Sequence, residues 1–458
     1  MNLSKLKIKS KPKYEKLKHE IDFFELFCKI EQKYNNCFLF ESLGPNQDGS
    51  RFSVLGFDPE TIVSARGKKI TIGEQTYTVD NPYETLELIC PNSIIAKNYA
   101  GGLVGFMSFE GINYLEASLN LATHKDFEEF KFGLYTDGLI FDNLTGETMY
   151  FYYDSSRLDE ILKIAKQAPK NNKLTKPKIK FIGNSLSKED YFKVVARVKE
   201  EIMLGNTFQC EVGFKSKYKI KGSTLPIYAK LREVNPSPYM YYMKFGEQRI
   251  IGASPELLLK LNNGELETYP LAGTVKRGKT PKMDMLLARK LLNDKKEQAE
   301  HKMLIDLHRN DLGKVAKFGT VKIRRFMEVK KFSHVQHISS EISGILRDDE
   351  TMFSALKALM PAGTLSGAPK IESIKLINQN EKEPRGPYGG AIGHFGFNGD
   401  CTFAIPIRTL FVSGENGFSQ TCGGIVYDSV PAHEYNEIEN KLAAMKIALA
   451  EFLTNLFN

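Results

Sequence analysis

Three β-like runs follow one another near the end of the chain: PYGGAIGHFGF (387–397), CTFAIPIRTLFVS (401–413) and GFSQTCGGIVYD (417–428). They are rich in β-branched and aromatic residues, a composition typical of strands, and glycines occur in the first and third of them. No helical segment of regular length separates them. The sequence therefore predicts sheet without a regular βαβ alternation in this part of the chain.

Elsewhere in the chain, the sequence contains both β-like and helical segments. GLYTDGLIFDNLTGETMYFYY (133–153) is typical of a hairpin, and SKEDYFKVVARVKEEIMLGN (187–206) is typical of a helix capped by Ser187. Two more helices are expected, from about Asp284 to Leu312 and from Pro431 to about Leu456. No glycine-rich first turn of a dinucleotide-binding fold occurs, so the pattern favours an α+β fold with antiparallel sheets flanked by helices.

A segment rich in Lys, Pro and Asn, KQAPKNNKLTKPKIK (166–180), is the best candidate for a linker. It predicts an N-terminal part, residues 1–180, and a C-terminal part, residues 181–458.

Composition narrows the class of protein. The 458 residues are 42% hydrophobic with a net charge of +8, and many lysines lie in 5–18 and 166–180. The remaining chain is closer to neutral, which argues against a nucleic-acid groove. The six cysteines are scattered without a CxxC pair, and no run approaches the length of a membrane span. We expect a soluble, cytoplasmic protein with free thiols and no membrane association.

Two pairs of glutamates are spaced to share helix faces. Glu297 and Glu300 lie three residues apart, and Glu434 and Glu437 repeat this spacing, with Lys441 one turn later. Brought together, four carboxylates need a divalent cation, and hard oxygen ligands suit Mg²⁺.

Five motifs occur in an order that identifies a family. They are EHKMLIDLHRNDLG (300–313), AGTLSGAPKIESIKLI (362–377), RGPYGGAIGHF (385–395), IPIRTL (405–410) and CGGIVYDSVPAHEYNEIENK (422–441). Together they resemble the chorismate-utilising enzymes, which include the anthranilate, aminodeoxychorismate, isochorismate and salicylate synthases. The resemblance covers residues 185–457 densely and implies two antiparallel sheets packed as a sandwich.

The resemblance also implies roles for individual residues. Glu300 and Glu437 match direct ligands of Mg²⁺, and Glu297 and Glu434 would hold metal-bound waters. Glu256 matches the general acid that protonates the departing 4-hydroxyl of chorismate. The other matched positions are His337 and Thr364 at the reacting centre, and Ala272, Gly273, Gly363, Tyr388, Arg408, Gly423, Gly424 and Lys441 around the substrate.

Two positions distinguish between the reactions of the family. Water-adding members use a lysine base where this chain has Gln209, and an amide cannot deprotonate water at neutral pH. Aminodeoxychorismate synthases commonly carry a lysine where this chain has Ala272, and a methyl group cannot form a covalent adduct. The resemblance is thus strongest to the branch that makes anthranilate and pyruvate from chorismate and ammonia, the first committed step of tryptophan biosynthesis.

The N-terminal part resembles a tryptophan feedback site. In FLFESLG (38–44) and NPSPYMYYM (235–243), Glu41 and Ser42 would meet the amino-acid end of tryptophan, and Pro238, Met240 and Tyr241 would wall its indole ring. This implies that residues 1–180 contribute a regulatory part and that residues 181–458 bind chorismate.

The sequence contains no Gly-x-Cys-x-Gly nucleophile elbow of a glutaminase. The resemblance therefore implies a separate glutamine amidotransferase subunit that supplies ammonia, in a heterotetramer. Two alternatives stay open: an aminodeoxychorismate synthase of the folate pathway, and a non-catalytic amino-acid sensor or assembly subunit.

Overall fold

The computed structural model describes residues 6, 8, 11–17, 21–43, 51–96, 99–167, 176–331 and 335–454. The helices in these ranges are α1 (Phe23–Lys33), α2 (Pro82–Ile89), α3 (Leu158–Lys166), α4 (Lys188–Met203), α5 (Leu225–Val234), α6 (Pro281–Asn293), α7 (Lys295–Gly313), α8 (Met352–Leu359), α9 (Gly363–Ser366), α10 (Lys370–Asn380) and α11 (Pro431–Ala450), with one 3₁₀ helix, Phe109–Tyr114.

The strands are β1 (Lys13–Lys16), β2 (Asn36–Glu41), β3 (Phe52–Phe57), β4 (Thr61–Arg66), β5 (Lys69–Ile72), β6 (Gln75–Thr78), β7 (Gly102–Met107), β8 (Phe130–Tyr135), β9 (Asp137–Asp142), β10 (Glu147–Tyr152), β11 (Lys178–Asn184), β12 (Gln209–Lys221), β13 (Tyr239–Phe245), β14 (Gln248–Ser254), β15 (Leu257–Asn262), β16 (Glu265–Thr268), β17 (Leu271–Lys276), β18 (Lys322–Lys331), β19 (Val335–Ile345), β20 (Gly367–Ala368), β21 (Ala391–Gly396), β22 (Cys401–Ala404), β23 (Thr409–Ser413) and β24 (Asn416–Ile425).

These strands form two antiparallel sheets of twelve strands each. The first has the order β1-β10-β9-β3-β2-β13-β14-β23-β24-β12-β11, with β20 beside β12. The second has the order β17-β19-β16-β15-β22-β21-β7-β8-β4-β5-β6, with β18 beside β19. Both sheets combine strands from before and after residue 180.

The largest apolar core lies between the sheets. Phe38 of β2, in the first sheet, meets Tyr135 of β8, in the second, edge-on with ring centroids 4.8 Å apart. Both side chains belong to one buried cluster that also includes residues of α8. A second cluster covers the other face of the first sheet with α1, α3 and α5, and a third joins α4, α10 and α11 to β12 and β24. This is the α+β sandwich flanked by helices that the sequence predicted, and that prediction is confirmed.

Local capping explains where the helices near the site begin. Ser187 caps α4 by accepting a hydrogen bond from the Asp190 amide, as predicted. The helix expected over 284–312 is in fact two helices, because Asp294 adopts an extended conformation and its carboxylate accepts from the amides of Lys296 and Glu297. That carboxylate satisfies the free N–H groups at the start of α7.

Two other expectations need adjustment. The last helix ends at Ala450, short of the predicted end, and Leu456 lies outside the described residues. The linker prediction falls mostly on residues 168–175, which also lie outside them. Among the helices that the structure describes, none is both long and apolar enough to cross a membrane.

Candidate active site

Two chain crossings between the sheets place the most reactive residues. Glu256 lies where the chain passes from β14 to β15, and Arg408 lies where it passes from β22 back to β23. The Ser254 hydroxyl donates to the Ile405 carbonyl over 2.7 Å, and the Ile405 amide donates to the Glu256 carbonyl over 3.1 Å. These bonds hold the two crossings side by side.

The Glu256 carboxyl group is buried and only 3% of the residue is exposed. Its Oε1 accepts a hydrogen bond of 2.9 Å from the Thr364 hydroxyl of α9. Burial raises the pKa of Glu256 to about 8, although Thr364, the Leu271 amide and the Arg408 charge all act in the opposite direction. The group therefore holds its proton at neutral pH and can donate it to a buried acceptor.

Arg408 and His337 form a second pair. The guanidinium donates from Nη2 to His337 Nε2 over 3.0 Å, and His337 Nδ1 donates to the Gly273 carbonyl over 2.8 Å. Burial and the Arg408 charge lower the pKa of His337 to about 3, so the imidazole is neutral. Burial also lowers the pKa of Arg408 to about 10, which leaves it charged.

Among the described residues, no carboxylate forms an ion pair with the Arg408 guanidinium, which is partly buried and donates to His337. A partly buried guanidinium whose charge no carboxylate balances favours an anionic ligand, since it offers a planar fork of donors.

The β17 segment lies beside this pair. Ala272 is buried and pairs with Ile338 of β19. Gly273 has a φ of +64°, and a Cβ there would lie 2.8 Å from Glu297 Oε2. A Cβ on Gly363 would lie 2.9 Å from Leu307 Cδ1 of α7. Both glycines thus allow α7 to approach, and the ligand contacts predicted for them stay predictions.

Gln209 is the first residue of β12, and the nitrogen and the oxygen of its side-chain amide are both buried. Its Nε2 donates to Glu211 Oε1 over 3.2 Å, while its Oε1 has no hydrogen-bond partner among the described residues. A Cβ on Gly424 would lie 2.4 Å from Gln209 Nε2, so a side chain there would displace Gln209. An added Cβ on Gly423 would lie 3.3 Å from the Tyr191 hydroxyl and 3.4 Å from Glu434 Oε2, which leaves much more room. The ligand contacts predicted for both glycines stay predictions.

The two helix faces predicted from sequence do come together. The pKa of Glu300 is raised to about 7 by burial and by the charges of Glu211, Glu297 and Glu437, with Lys441 opposing them. Burial also raises the pKa of Glu297 and of Glu434. Glu211, on β12, was missed by the sequence analysis; its place two residues after Gln209, on the same face of the strand, was the available signal.

Lys441 partly neutralises this acidic cluster. Its Nζ lies 2.8 Å from Glu437 Oε1 and donates to the Cys422 carbonyl over 3.0 Å. The ion pair lowers the pKa of Glu437 and raises that of Lys441. In the described ranges, no three His, Cys, Asp or Glu side chains lie close enough together to hold a metal ion. The carboxylates share a site but are not drawn into a closed ligand set.

Tyr388 has a partner that sequence did not reveal. Its hydroxyl donates to Cys422 Sγ over 3.1 Å, and the Cys422 thiol donates to Glu211 Oε2, also over 3.1 Å. The predicted contact of Tyr388 with a substrate carboxylate therefore competes with an internal hydrogen bond.

The residues of the predicted feedback site lie farther along the first sheet. Glu41 is buried and accepts from the Tyr228 hydroxyl at 2.8 Å and from Arg232 Nε and Nη2 at 3.0 Å each. Leu43, after Ser42, donates its amide to the Ser237 carbonyl, next to Pro238, over 3.1 Å. The residues of β2 and the turn before β13 thus meet, as the feedback-site prediction requires.

Two of the residues predicted to wall that site, Met240 and Tyr241, lie on opposite faces of the first sheet. Met240 is paired with Glu41 and belongs to the cluster under α1 and α5, whereas Tyr241 belongs to the core between the sheets. Neighbouring residues of a strand face opposite sides. Met240 and Tyr241 therefore face opposite sides of the first sheet, and the contacts with tryptophan predicted for them stay a prediction.

With this geometry in place, the sequence was compared with known proteins. Residues 35–446 match the family described as chorismate binding enzyme. The chain belongs to that family.

Two curated relatives of this chorismate-binding chain share a name. The Leptospira biflexa protein named anthranilate synthase component 1 is 52% identical over 453 residues, covering 98% of each chain. The Methanothermobacter thermautotrophicus protein of the same name is 40% identical, covering 94% of this chain and 93% of the relative.

Solved structures agree with the fold. Anthranilate synthase component I from Streptococcus pneumoniae superposes with a TM-score of 0.77 at 31% identity, covering 88% of this chain and 93% of that one. The Escherichia coli isochorismate synthase MenF superposes with a TM-score of 0.71 over 97% and 96% of the two chains, but at 18% identity it supports the fold alone.

Proposed function

We propose that this chain converts chorismate and ammonia to anthranilate and pyruvate, as the large subunit of an anthranilate synthase. The observation that carries the proposal is the buried Glu256, which keeps its proton at neutral pH beside Arg408, whose charge no carboxylate of the described residues balances in an ion pair. The names of the close relatives support the same reaction.

Glu256 acts as the general acid in this proposal. Loss of the 4-hydroxyl of chorismate needs a proton on the departing oxygen, and a carboxylic acid with a pKa near 8 can supply it. The Thr364 hydroxyl, 2.9 Å from Oε1, fixes the orientation of the carboxyl group.

Arg408 would bind the carboxylate of the enolpyruvyl side chain through its remaining N–H groups. His337 holds the guanidinium through Nε2 and is itself held by the Gly273 carbonyl. Because the imidazole is neutral, it can assist the loss of pyruvate without adding charge beside Arg408.

The acidic cluster has the donor chemistry that Mg²⁺ prefers, and this ion does not need a closed set of protein ligands, because it usually binds one or two carboxylates and keeps several waters. Burial and the neighbouring carboxylates raise the pKa of Glu300, and a cation would relieve the negative charge among them. Glu300 and Glu437 would bind the ion directly, and Glu297 and Glu434 would hold its waters. When bound, Mg²⁺ neutralises the ring carboxylate of chorismate and orients the substrate.

Ammonia is the proposed nucleophile at C2 of the ring. Gln209 offers no base for water, and Ala272 offers no amine for a covalent adduct. Gly363, Gly423, Gly424 and Lys441 would line the substrate around this position.

We also propose the wider setting of the reaction. A separate glutamine amidotransferase would supply ammonia in a heterotetramer in the cytoplasm. Tryptophan would inhibit through Glu41, Ser42, Pro238, Met240 and Tyr241. Residues 1–180 would serve regulation and residues 181–458 catalysis. The words "component 1" in the names of the relatives imply a second component.

Chromatography of the products of chorismate, Mg²⁺ and ammonium at alkaline pH tests the proposal. Anthranilate is expected. The product 4-amino-4-deoxychorismate would favour the folate-pathway alternative, and the absence of any turnover would favour a sensor subunit.

A further inference from the structure

Arg385 is a fully buried cation that the reaction scheme above does not use. It lies between α10 and β21, and 1% of the residue is exposed. Its Nη1 donates to the Leu365 carbonyl over 2.6 Å, and its Nη2 donates to the Glu211 carbonyl over 2.7 Å. Nε and Nη2 also bind Glu381 Oε2 and Oε1 at 2.9 and 2.7 Å.

Arg385 and Glu381 together take the place of a neighbouring strand along one edge of β12. Pairing with β20 ends at Cys210, opposite Gly367. The next groups on the same side of β12 are satisfied by side chains, because Arg385 binds the Glu211 carbonyl and Glu381 Oε1 accepts from the Gly213 amide over 3.0 Å.

The guanidinium therefore joins two parts of the candidate active site. On one side it holds α9, where Thr364 precedes the bonded Leu365 carbonyl and reaches Glu256. On the other side it holds β12 at Glu211, two residues from Gln209. The guanidinium carbon also lies 4.5 Å from the centre of the Phe109 ring and 5.6 Å from that of Tyr388.

We propose that Arg385 is a positioning residue, which sets the distance between α9 and β12 and so aligns the Glu256–Thr364 acid with the nucleophile side of the site. This inference rests on the proposed function. A displacement of about 1 Å at a reacting centre can lower the rate by about a hundredfold, even when the change lies outside the chemistry.

The planar guanidinium group of arginine is essential for positioning α9 and β12 relative to each other. Arginine presents several donors at fixed angles and can bridge two carbonyl groups and a carboxylate at once. Lysine keeps the charge for Glu381 but has one nitrogen, which cannot hold the same three groups in the same geometry.

Steady-state kinetics of Arg385→Lys with chorismate and ammonium, beside a melting curve, test the proposal. We expect kcat to fall by at least about tenfold while the KM for chorismate changes by less than about threefold. Arg157→Lys is the matched control, because Arg157 makes a bidentate pair with Asp137 away from the site. It should lower the melting temperature similarly and leave kcat unchanged.

A double-mutant cycle separates positioning from general stability. If Arg385 acts through α9, Thr364→Val and Arg385→Lys should lower kcat together by clearly less than the product of their separate effects. Fully multiplicative losses, or a wild-type kcat in Arg385→Lys, would overturn the proposal.

Arg385→Met/Glu381→Leu removes both buried charges and avoids leaving one unpaired, should the lysine variant fail to fold. A folded double variant with wild-type kcat would also overturn the proposal, and a folded variant with low kcat and ordinary KM would support it. Wild-type protein that makes no anthranilate would instead contradict the proposed function.

Discussion

At the scale of single residues, Glu256 shows how burial prepares a carboxyl group for acid chemistry. The family resemblance predicted its role as the general acid, but its protonation depends on surroundings contributed by distant segments. Thr364 and Leu271 both act to lower the pKa of Glu256, and desolvation outweighs them. The same residue in an exposed turn would be ionised at neutral pH.

Glu256→Gln tests the acid directly. We expect kcat to fall by about a hundredfold to ten-thousandfold, because the amide cannot protonate the leaving hydroxyl. Anthranilate fluorescence measures the rate. Thr364→Val, which keeps the acid, should retain much more activity, and equal losses in both variants would argue against Glu256 as the proton donor.

The pH dependence of the free energy of unfolding should also reflect the raised pKa of the Glu256 carboxyl group. Glu256 has a pKa of about 8 in the folded chain and an ordinary value of about 4.3 when unfolded, so the folded state binds the extra proton between these values. The wild-type free energy of unfolding should therefore fall as pH rises through this window. Relative to wild type, Glu256→Gln should be more stable at about pH 9 than at about pH 5 in urea titrations, and a difference independent of pH would show that the raised pKa is wrong.

At the scale of elements, α7 and α11 present the acidic cluster from two directions. Residue spacing predicted each helix face, since three residues along a helix keep side chains on one side. The break at Asp294 was not predicted, because helical composition continues through it. Capping by its side chain starts α7 immediately before Glu297.

Asp294→Ala should lower the free energy of unfolding by about 1 kcal/mol. It should also raise the Mg²⁺ concentration needed for half-maximal activity, because α7 carries Glu297 and Glu300. Asp22→Ala removes the corresponding cap of α1 and is the matched control. An equal change in Mg²⁺ requirement in both variants would disconnect the cap from the acidic cluster.

Glu437→Gln should raise the half-saturating Mg²⁺ concentration by about tenfold or more without unfolding the chain. The control is Glu439→Gln on the same helix, which loses only a contact with Lys446. Activity titrations with Mg²⁺ and circular dichroism measure the two effects. A wild-type Mg²⁺ response in Glu437→Gln would remove this residue from the proposed metal site.

At the scale of the whole molecule, both sheets combine strands from the two sides of residue 180. The β-like runs and the absence of βαβ alternation predicted the fold class, and motif order predicted the residues around the site. Strand order could not be predicted, since it depends on pairing between segments far apart in the chain. Glu211 and Arg385 escaped the sequence analysis for a related reason: their roles arise from contacts with α9, with Cys422 of β24 and with Glu381 at the end of α10.

The proposed inhibition by tryptophan can be tested at the first sheet, which carries Glu41. Glu41→Gln should raise the tryptophan concentration needed for half-maximal inhibition, because the buried carboxylate bound by Arg232 loses its charge. Glu31→Gln, at another buried pair with Lys244, is the control and should leave inhibition unchanged. Identical tryptophan inhibition curves for wild type and Glu41→Gln would place the inhibitor elsewhere.

The central claim is that ammonia attacks chorismate and that pyruvate is then released. Incubation with ¹⁵N-labelled ammonium, followed by mass spectrometry of the products, tests it most directly. The account predicts ¹⁵N-anthranilate and pyruvate in equal amounts. Isochorismate, salicylate or ¹⁵N-labelled 4-amino-4-deoxychorismate as the main product would contradict it.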